Sequence, residues 1–259
     1  MCYDADAIPP VEGSAATPVN TGLVTLVSAD GTRFAGFCAR PEPSSPDPGV
    51  GVVILPDLRG LAGFYQRLAV RFAEQGHMAL AIDYFGRTAG ARHRGDGFPF
   101  MEHAVRLTRA GMQADLVAAA DYLRGPDGGA CRVVVAVGFC VGGRLAFFAS
   151  APQFGLAGVI GFYGAPGIAG PYGPGPTQHA AELASPVLGL FGGADEGIPP
   201  GEVAAFDHAL SAAGVAHQIV TYPGAPHGFF DVRQDEHAEA SADAWRRVLA
   251  FVGERASVG

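Results

Sequence analysis

Six short apolar runs recur along the chain, and stretches with helical periodicity follow most of them. The runs are VGVVILP (50–56), HMALAID (77–83), CRVVVAVGF (131–139), GLAGVIGFYG (155–164), PVLGLFGGAD (186–195) and HQIVTYPG (217–224). An uninterrupted apolar run is typical of a strand that is buried on both faces of its sheet. Strands that alternate with helices predict an α/β fold, in which a mostly parallel central sheet carries helices on both faces.

The helical segments are recognised by the spacing of their apolar residues and by the residues that end them. We predict helices over 64–76, about 101–124, GGRLAFFAS (142–150), 201–213 and about 236–253. In the longest of these, over about 101–124, the apolar residues are Val105, Met112, Leu116 and Leu123.

The segment before residue 50 has a different pattern. GLVTLVSADGTRFAGFCARP alternates apolar and polar residues around Asp30-Gly31, which predicts an N-terminal β-hairpin. Residues 1–20 are polar and contain proline, so we expect a surface arm there. We assign residues 21–259 to a single domain, because a chain of 259 residues with 49% hydrophobic content can bury one large core.

Composition excludes several classes of function. The formal net charge of −8 argues against a nucleic-acid-binding surface. All 17 basic residues are arginine, which excludes Schiff-base aldolases, pyridoxal-phosphate enzymes and Walker-type phosphate loops. We find neither the basic start and apolar run of a secretory signal nor the ~20 apolar residues of a membrane span.

The cysteines and histidines lack the spacing of a metal site. Cys2, Cys38, Cys131 and Cys140 form no C-x-x-C pair, and the eight histidines form no H-E-x-x-H motif. We therefore expect free thiols in a reducing cytoplasm, and no bound metal. We also expect a monomer or small homo-oligomer that acts on a small molecule and has no nucleic-acid or membrane partner.

Cys140 lies in Gly138-Phe139-Cys140-Val141-Gly142, between a predicted strand and a predicted helix. A nucleophile elbow needs small residues two positions either side, because its turn is strained and the helix packs closely behind it. The helix N-terminus also stabilises a thiolate. A dinucleotide-binding motif would need glycine at position 140. The alternative is that Cys140 is a small buried apolar residue, as many free cysteines are.

An acid and a histidine follow two later strands. Asp195 ends GGAD and could orient a histidine by accepting its ring N–H, although Glu196 is a second candidate. His227 lies in a Gly/Pro-rich loop, where it could act as general base or simply face solvent. The order nucleophile, acid, histidine is that of α/β-hydrolases, with each residue just after a predicted strand. This coincidence favours Cys140 as the nucleophile.

The motifs GFCVGG, GGAD and APHGF, set in this pattern over about residues 22–253, resemble those of dienelactone hydrolases. These are a branch of the α/β-hydrolases with cysteine in place of serine. The resemblance implies the α/β-hydrolase fold, a Cys140–His227–Asp195 triad, a thioester intermediate and no cofactor.

The resemblance also implies roles for the residues after the first strand of the parallel pattern. Family members have an acid there, usually glutamate, that helps convert the thiol to a thiolate when substrate arrives. This sequence has the shorter Asp57, which could instead pair with Arg59. Carried over, the backbone N–H groups of Leu58 and Val141 form the oxyanion hole.

Two arginines bind the substrate carboxylate in typical members of the family. Arg87, in AIDYFGRTAG, matches the first, and its alternative is a surface arginine near Arg92 and Arg94. The second position holds Asp231, and Arg233 is out of register. We therefore expect a pocket that tolerates neutral esters and lactones and that disfavours dianions.

The sequence thus predicts a hydrolase of lactones or activated esters, of the carboxymethylenebutenolidase type. One alternative is a general carboxylesterase or thioesterase on the same scaffold. Another is a non-catalytic redox-sensing or binding protein, in which Cys140 responds to oxidants.

Overall fold

Eight strands form one sheet in this computed structural model. The residues that it describes are 7–10, 18–42, 49–95, 97–168, 173–231 and 236–256. The strands are β1 (Val19–Val27), β2 (Arg33–Pro41), β3 (Val50–Leu55), β4 (Met78–Ile82), β5 (Val133–Phe139), β6 (Gly158–Phe162), β7 (Val187–Gly192) and β8 (His217–Tyr222).

The sheet has the order β1-β2-β4-β3-β5-β6-β7-β8. The β1–β2 and β2–β4 pairs are antiparallel, and β4-β3-β5-β6-β7-β8 pair in parallel. This arrangement confirms the predicted mostly parallel sheet and its N-terminal hairpin. Every residue of β3, β4, β6 and β7 is buried, as expected for strands covered on both faces.

Seven α-helices and three 3₁₀ helices connect the strands within the described residues. The α-helices are α1 (Gly63–Glu74), α2 (Gly86–Ala89), α3 (Phe100–Ala104), α4 (Arg109–Arg124), α5 (Val141–Phe148), α6 (Pro200–Ala212) and α7 (Ala238–Ala256). The 3₁₀ helices are Pro126–Gly128, Pro152–Phe154 and Pro176–Glu182.

The long helix predicted over 101–124 is wrong in one respect, because the chain breaks it into α3 and α4. Thr108 adopts extended dihedral angles (φ −120°, ψ 145°), and its side chain accepts a hydrogen bond from the Gly111 amide. This is an N-cap, which starts a new helix at Arg109. Val105, predicted on the apolar face, is 76% exposed as a result, whereas Met112 is buried.

Part of the predicted arm packs against α1. Pro9 and Pro10 are buried, and the Arg67 Nε donates to the Ala7 carbonyl oxygen at 3.1 Å. The strand β1 begins at Val19, so the end of the predicted arm already belongs to the sheet. Among the described residues, no helix has both the length and the apolar character needed to cross a membrane.

Aromatic rings join the carboxyl ends of the central strands. The Phe139 ring at the end of β5 stacks on Phe162 at the end of β6, with centroids 4.8 Å apart. Phe230 packs against both rings, at 5.9 Å from Phe139 and 4.5 Å from Phe162. Because Phe230 follows His227 closely in the chain, this cluster holds the histidine loop over the ends of β5 and β6.

Candidate active site

Cys140 occupies a sharp turn between β5 and α5. Its dihedral angles are φ +54° and ψ −113°, a conformation that a residue with a side chain rarely adopts. Such a conformation costs on the order of 1–3 kcal/mol and persists only where the surrounding structure holds it. The Cys140 amide donates to the Phe162 carbonyl oxygen at 3.0 Å, and the side chain is only half-buried. The turn therefore presents the thiol at the edge of the sheet.

The glycines around Cys140 allow the close packing that this turn needs. A Cβ atom on Gly138 would overlap the Gly142 carbonyl oxygen, and one on Gly142 would overlap the carbonyl oxygens of Leu55 and Pro56. A Cβ atom on Gly143 would lie 2.6 Å from the Phe162 carbonyl oxygen. The helix α5 thus starts in direct backbone contact with the ends of three strands, which is the packing expected of a nucleophile elbow.

Asp195 and His227 form a hydrogen-bonded pair. The Asp195 Oδ2 lies 2.7 Å from the His227 Nδ1, and Asp195 Oδ1 accepts the Gly197 amide at 2.8 Å. The Asp195 side chain is buried and the His227 ring is one-third exposed. Glu196 is exposed to solvent. The carboxylate is thus fixed from two sides while the ring stays accessible.

Backbone contacts tie the two loops that carry this pair. The Ala194 amide donates to the Ala225 carbonyl oxygen at 2.9 Å, and the Gly193 amide donates to the Tyr222 carbonyl oxygen at 2.8 Å. A Cβ atom on Gly192 would overlap the Ala225 carbonyl oxygen. The end of β7 therefore sits directly against the loop that leads to His227.

Tyr163 lies between the His227 ring and the turn that carries Cys140, and the sequence analysis missed it. It follows β6 directly, with φ +37°, and its ring centroid lies 4.9 Å from that of His227. The carbonyl oxygen of the preceding residue, Phe162, accepts a hydrogen bond from the Cys140 amide. The cysteine turn and the histidine ring therefore meet at the end of β6. An aromatic residue just after a buried strand, in GFYG, was the available signal.

Asp57, two residues after the end of β3, is completely buried. Its Oδ1 accepts the Arg59 amide at 2.8 Å, and its own amide donates to the Tyr65 hydroxyl at 3.1 Å. Burial raises the pKa of Tyr84, and the charges of Asp57 and of a Cys140 thiolate raise it further. Asp57 and Cys140 thus both lie near the Tyr84 ring. The Tyr84 hydroxyl donates to the Pro56 carbonyl oxygen at 3.0 Å.

The Leu58 and Val141 amides lie at the ends of β3 and β5, which pair with each other in the sheet. Within the part of the chain that the structure describes, neither amide donates a hydrogen bond to a protein acceptor. Both half-buried residues therefore have a backbone donor available for a ligand. Two such donors can stabilise a developing oxyanion without reorganising.

Arg87 has its protein partners elsewhere. One guanidinium nitrogen contacts Asp30 and the Thr32 hydroxyl, and the other donates to Asp115 at 2.7 Å and to the Gly111 carbonyl oxygen. The structure thus places this group between the β1–β2 turn and α4, where it forms a salt bridge with the buried Asp115. Its predicted role in binding substrate stays a prediction.

Asp231 stands where typical family members have the second arginine, and it lies in the interior. The expectation that the pocket tolerates neutral esters and disfavours dianions stays a prediction. Asp231 is completely buried, and its amide donates to the Gly228 carbonyl oxygen at 3.1 Å. Burial raises the pKa of Tyr65 well above its usual range, with contributions from the charges of Asp57 and Asp231. Asp231 therefore lies in the interior near these two residues. Arg233 lies outside the described residues.

Two cavities lie among the described residues near the ends of the strands. The wall of one, of about 200 Å³, includes Arg59, Asp83 and Arg94. The other, of about 280 Å³, includes Val141 in its wall. Apolar side chains of α4 and α5 form most of the second cavity, which suits a hydrophobic part of a ligand. No group of three or more potential metal-ligating side chains occurs among the described residues.

Comparison with known proteins relates this chain to one protein family. The model of the dienelactone hydrolase family matches residues 34–256. A protein of Yersinia pestis named "Putative carboxymethylenebutenolidase" is 29% identical over 87% of this chain and 85% of its own length. A protein of Synechocystis with the same name is 30% identical over 89% of this chain and 95% of its own length.

A solved structure is similar over nearly the whole fold. The crystal structure of a "Putative Dienelactone Hydrolase" from Klebsiella pneumoniae has a TM-score of 0.77 and 29% identity to this chain. It covers 91% of this chain and 99% of its own.

Proposed function

Since this chain belongs to the dienelactone hydrolase family and is a hydrolase of ester or lactone bonds, we propose that Cys140 is its nucleophile. The observation that carries the proposal is the half-exposed Cys140 in its positive-φ turn, at the edge where the His227–Asp195 pair also lies. We propose substrates of the lactone or activated-ester class, in the manner of carboxymethylenebutenolidases, and a location in the cytoplasm.

The first half of the reaction forms a thioester. His227 accepts the Cys140 proton, with Asp195 stabilising the imidazolium, and the buried Asp57 favours the same transfer. The thiolate attacks the carbonyl carbon, and the Leu58 and Val141 amides hold the oxyanion. The carbon–oxygen bond to the leaving group then breaks, and His227 returns its proton to the departing oxygen.

The second half uses water. His227 takes a proton from a water molecule, the hydroxide attacks the thioester carbonyl, and the Cys140 thiolate leaves. The product is a carboxylic acid, and a lactone yields an acid that keeps its own alcohol or enol. A thiolate is a good leaving group, so an attacked amide tends to revert to substrate. Substrates with stable leaving groups, such as enol esters, are therefore favoured.

The central test measures hydrolysis of a lactone, a para-nitrophenyl ester and an acyl thioester by wild type and Cys140→Ala. We expect the variant to lose nearly all of its turnover, because no thioester can form without the thiol, while its thermal midpoint stays close to wild type. Cys131→Ala, at a buried cysteine outside the site, is the control and should keep its turnover. Retention of more than a few per cent of the turnover by Cys140→Ala would contradict the proposal.

Two further measurements test the reactivity of Cys140 and the covalent intermediate, and the second separates this reaction from a redox-sensing role. Iodoacetamide should alkylate Cys140 faster than Cys38, because Cys38 is buried and burial raises the pKa of its thiol. In His227→Ala at alkaline pH, where a thiol ionises without a base, mass spectrometry after mixing with an activated ester should detect an acyl group on Cys140, since its release still needs the base to activate water. Absence of that adduct, with no hydrolysis of any of the substrates by wild type, would favour a non-catalytic protein.

A further inference from the structure

Two carboxyl groups lie inside the protein near one phenol. Asp57 follows β3, Asp231 follows His227 in the chain, and both acidic side chains are completely buried. The Asp57 amide donates to the Tyr65 hydroxyl at 3.1 Å. Burial raises the pKa of Tyr65 well above its usual range, and the charges of Asp57 and Asp231 both add to this effect. The proposed function uses Asp57 and leaves Asp231 without a role.

Ring contacts hold the segment that carries Asp231 against the helix that carries Tyr65. The ring of Phe230, the neighbour of Asp231, packs edge-to-face on Phe64 of α1, with centroids 6.3 Å apart. The same ring lies 5.9 Å from Phe139, which in turn lies 5.3 Å from the Tyr65 ring. These contacts explain why the two carboxyl groups act on the same phenol although their segments are far apart in the sequence.

Other titratable groups approach the two acids from several elements. They are Tyr84 after β4, Cys140 at the nucleophile turn, Tyr163 after β6, His227 against the Tyr163 ring, Arg59 on the loop of Asp57, and the Asp83–Arg94 salt bridge beside that loop. Burial raises the pKa of Tyr84 as it does that of Tyr65, so both phenols stay neutral. Negative charge near Tyr65 therefore resides on the carboxyl groups.

Two carboxyl groups buried at one site do not both ionise readily. Like charges in an interior of low dielectric constant oppose ionisation of the second group, so such a pair keeps one proton to a higher pH than a single carboxyl group does. A phenol hydroxyl accepts a hydrogen bond and also donates one. Because the Tyr65 hydroxyl accepts the Asp57 amide, its own proton is directed to a different acceptor, and a carboxylate is a strong one.

We propose that Asp57 and Asp231 share one proton at the Tyr65 hydroxyl, which makes Asp231 a positioning residue that sets the pH at which Asp57 becomes anionic. At neutral pH one carboxyl group carries the proton and the other carries the negative charge. As pH rises, the proton leaves to solvent, and the anionic Asp57 then favours proton loss from Cys140. The effect on the reaction rests on the proposed function, whereas the shared proton does not.

Infrared difference spectroscopy tests the shared proton without turnover. Wild type at pH 7 should show the carbonyl stretch of a protonated carboxyl group. The band should disappear in Asp57→Asn and in Asp231→Asn, because the remaining carboxyl group ionises at lower pH. Asp207→Asn, at an exposed acid on α6, is the matched control and should retain the band. A wild type without the band, which needs no folded variant to observe, or a band that persists in both variants would overturn the proposal.

The pH dependence of kcat/KM for an activated ester tests the effect on the reaction. Asp231→Asn should move the acid limb of the profile to lower pH by about one unit, because a charge that opposed ionisation of Asp57 is gone. A merely structural role would instead lower activity equally at every pH. The limb should stay in place in Asp207→Asn, and Asp231→Asn should not move it in an Asp57→Asn background.

An acid limb that Asp231→Asn does not move would overturn the role of Asp231. So would a shift of the same size in the Asp57→Asn background, because Asp231 would then act on another group. If wild type shows the infrared band but hydrolyses no ester, the proposed function fails and the shared proton stands.

Discussion

At the scale of single residues, the candidate site combines one residue with a strained backbone, Cys140, and one hydrogen-bonded pair, Asp195 and His227. Cys140 is held at positive φ, whereas Asp195 is buried and hydrogen-bonded both to His227 and to the Gly197 amide. A carboxylate fixed in this way keeps the imidazole in one tautomer and one orientation. The exposed Glu196, next to it in the chain, has no comparable environment.

The two neighbouring acids therefore give a direct test of the assignment. Asp195→Asn should lower the rate of the chemical step by a factor on the order of 10² to 10⁴, because the imidazolium loses its charged partner. Glu196→Gln, an equivalent change at the adjacent residue, should stay within two-fold of wild type. Single-turnover kinetics with an activated ester measure both. A larger loss in Glu196→Gln would reverse the roles.

At the scale of elements, the β5–α5 junction depends on backbone-to-backbone contact. The start of α5 lies so close to β3 that Gly142 has no room for a methyl group. Gly253, in the last helix, differs because nothing lies within 4 Å of the position of its Cβ. Packing therefore requires glycine at position 142 in α5, whereas it leaves room for a side chain at position 253 in α7.

This contrast predicts opposite effects of one substitution. Gly142→Ala should reduce the free energy of unfolding by roughly 1–3 kcal/mol, because the added methyl group displaces backbone atoms. Gly253→Ala should increase it by about 0.5–1 kcal/mol, since alanine loses less conformational entropy in a helix. Urea unfolding followed by circular dichroism gives both values. Destabilisation by Gly253→Ala, or a neutral Gly142→Ala, would contradict this account of the packing.

At the scale of the whole molecule, strand order determines where the site forms. The chain passes from β3 to β4 on one side and then crosses to β5 on the other. In open α/β sheets, ligands bind outside the carboxyl ends of the strands at such a switch point. Asp57 and Leu58 follow β3, and Cys140 and Val141 follow β5. The topology thus brings together residues that are more than 80 positions apart in the sequence.

The stability of the whole fold should also depend on pH through His77, which precedes β4. Burial lowers the pKa of this imidazole below its usual 6.5, so the folded state binds its proton more weakly than the unfolded state. The unfolded state then carries more protons as pH falls through 6.5, and stability decreases in the same direction. Wild type should lose more stability than His77→Gln between pH 7.5 and 5.5.

Urea midpoints across this pH range measure the effect. The exposed His208 on α6 provides the matched substitution, His208→Gln, which should follow the wild-type pH dependence. A His77→Gln variant that shows the same pH dependence as wild type would rule out this contribution.

The sequence predicted those features that depend on local patterns. Buried strands read as continuous apolar runs, and the Asp30-Gly31 turn marked the hairpin, so sheet type and most element positions were predictable. The break before α4 was not, because Val105 and Leu107 preserve an apolar pattern across it while Thr108 starts a new helix. The N-cap formed by Thr108 determines where α4 begins, and the apolar periodicity does not indicate it.

By itself, the sequence determined which chemical groups follow which strands, since the glycine-flanked Cys140, the acid and the histidine are all encoded in short motifs. Only the tertiary structure decided where the other charges point. It pairs Arg87 with Asp115, buries Asp231 near Tyr65, and stacks Arg109 on Phe148. The physical reason is that periodicity records whether a residue is buried, whereas the partner of a charge depends on segments that the fold brings together from distant parts of the chain.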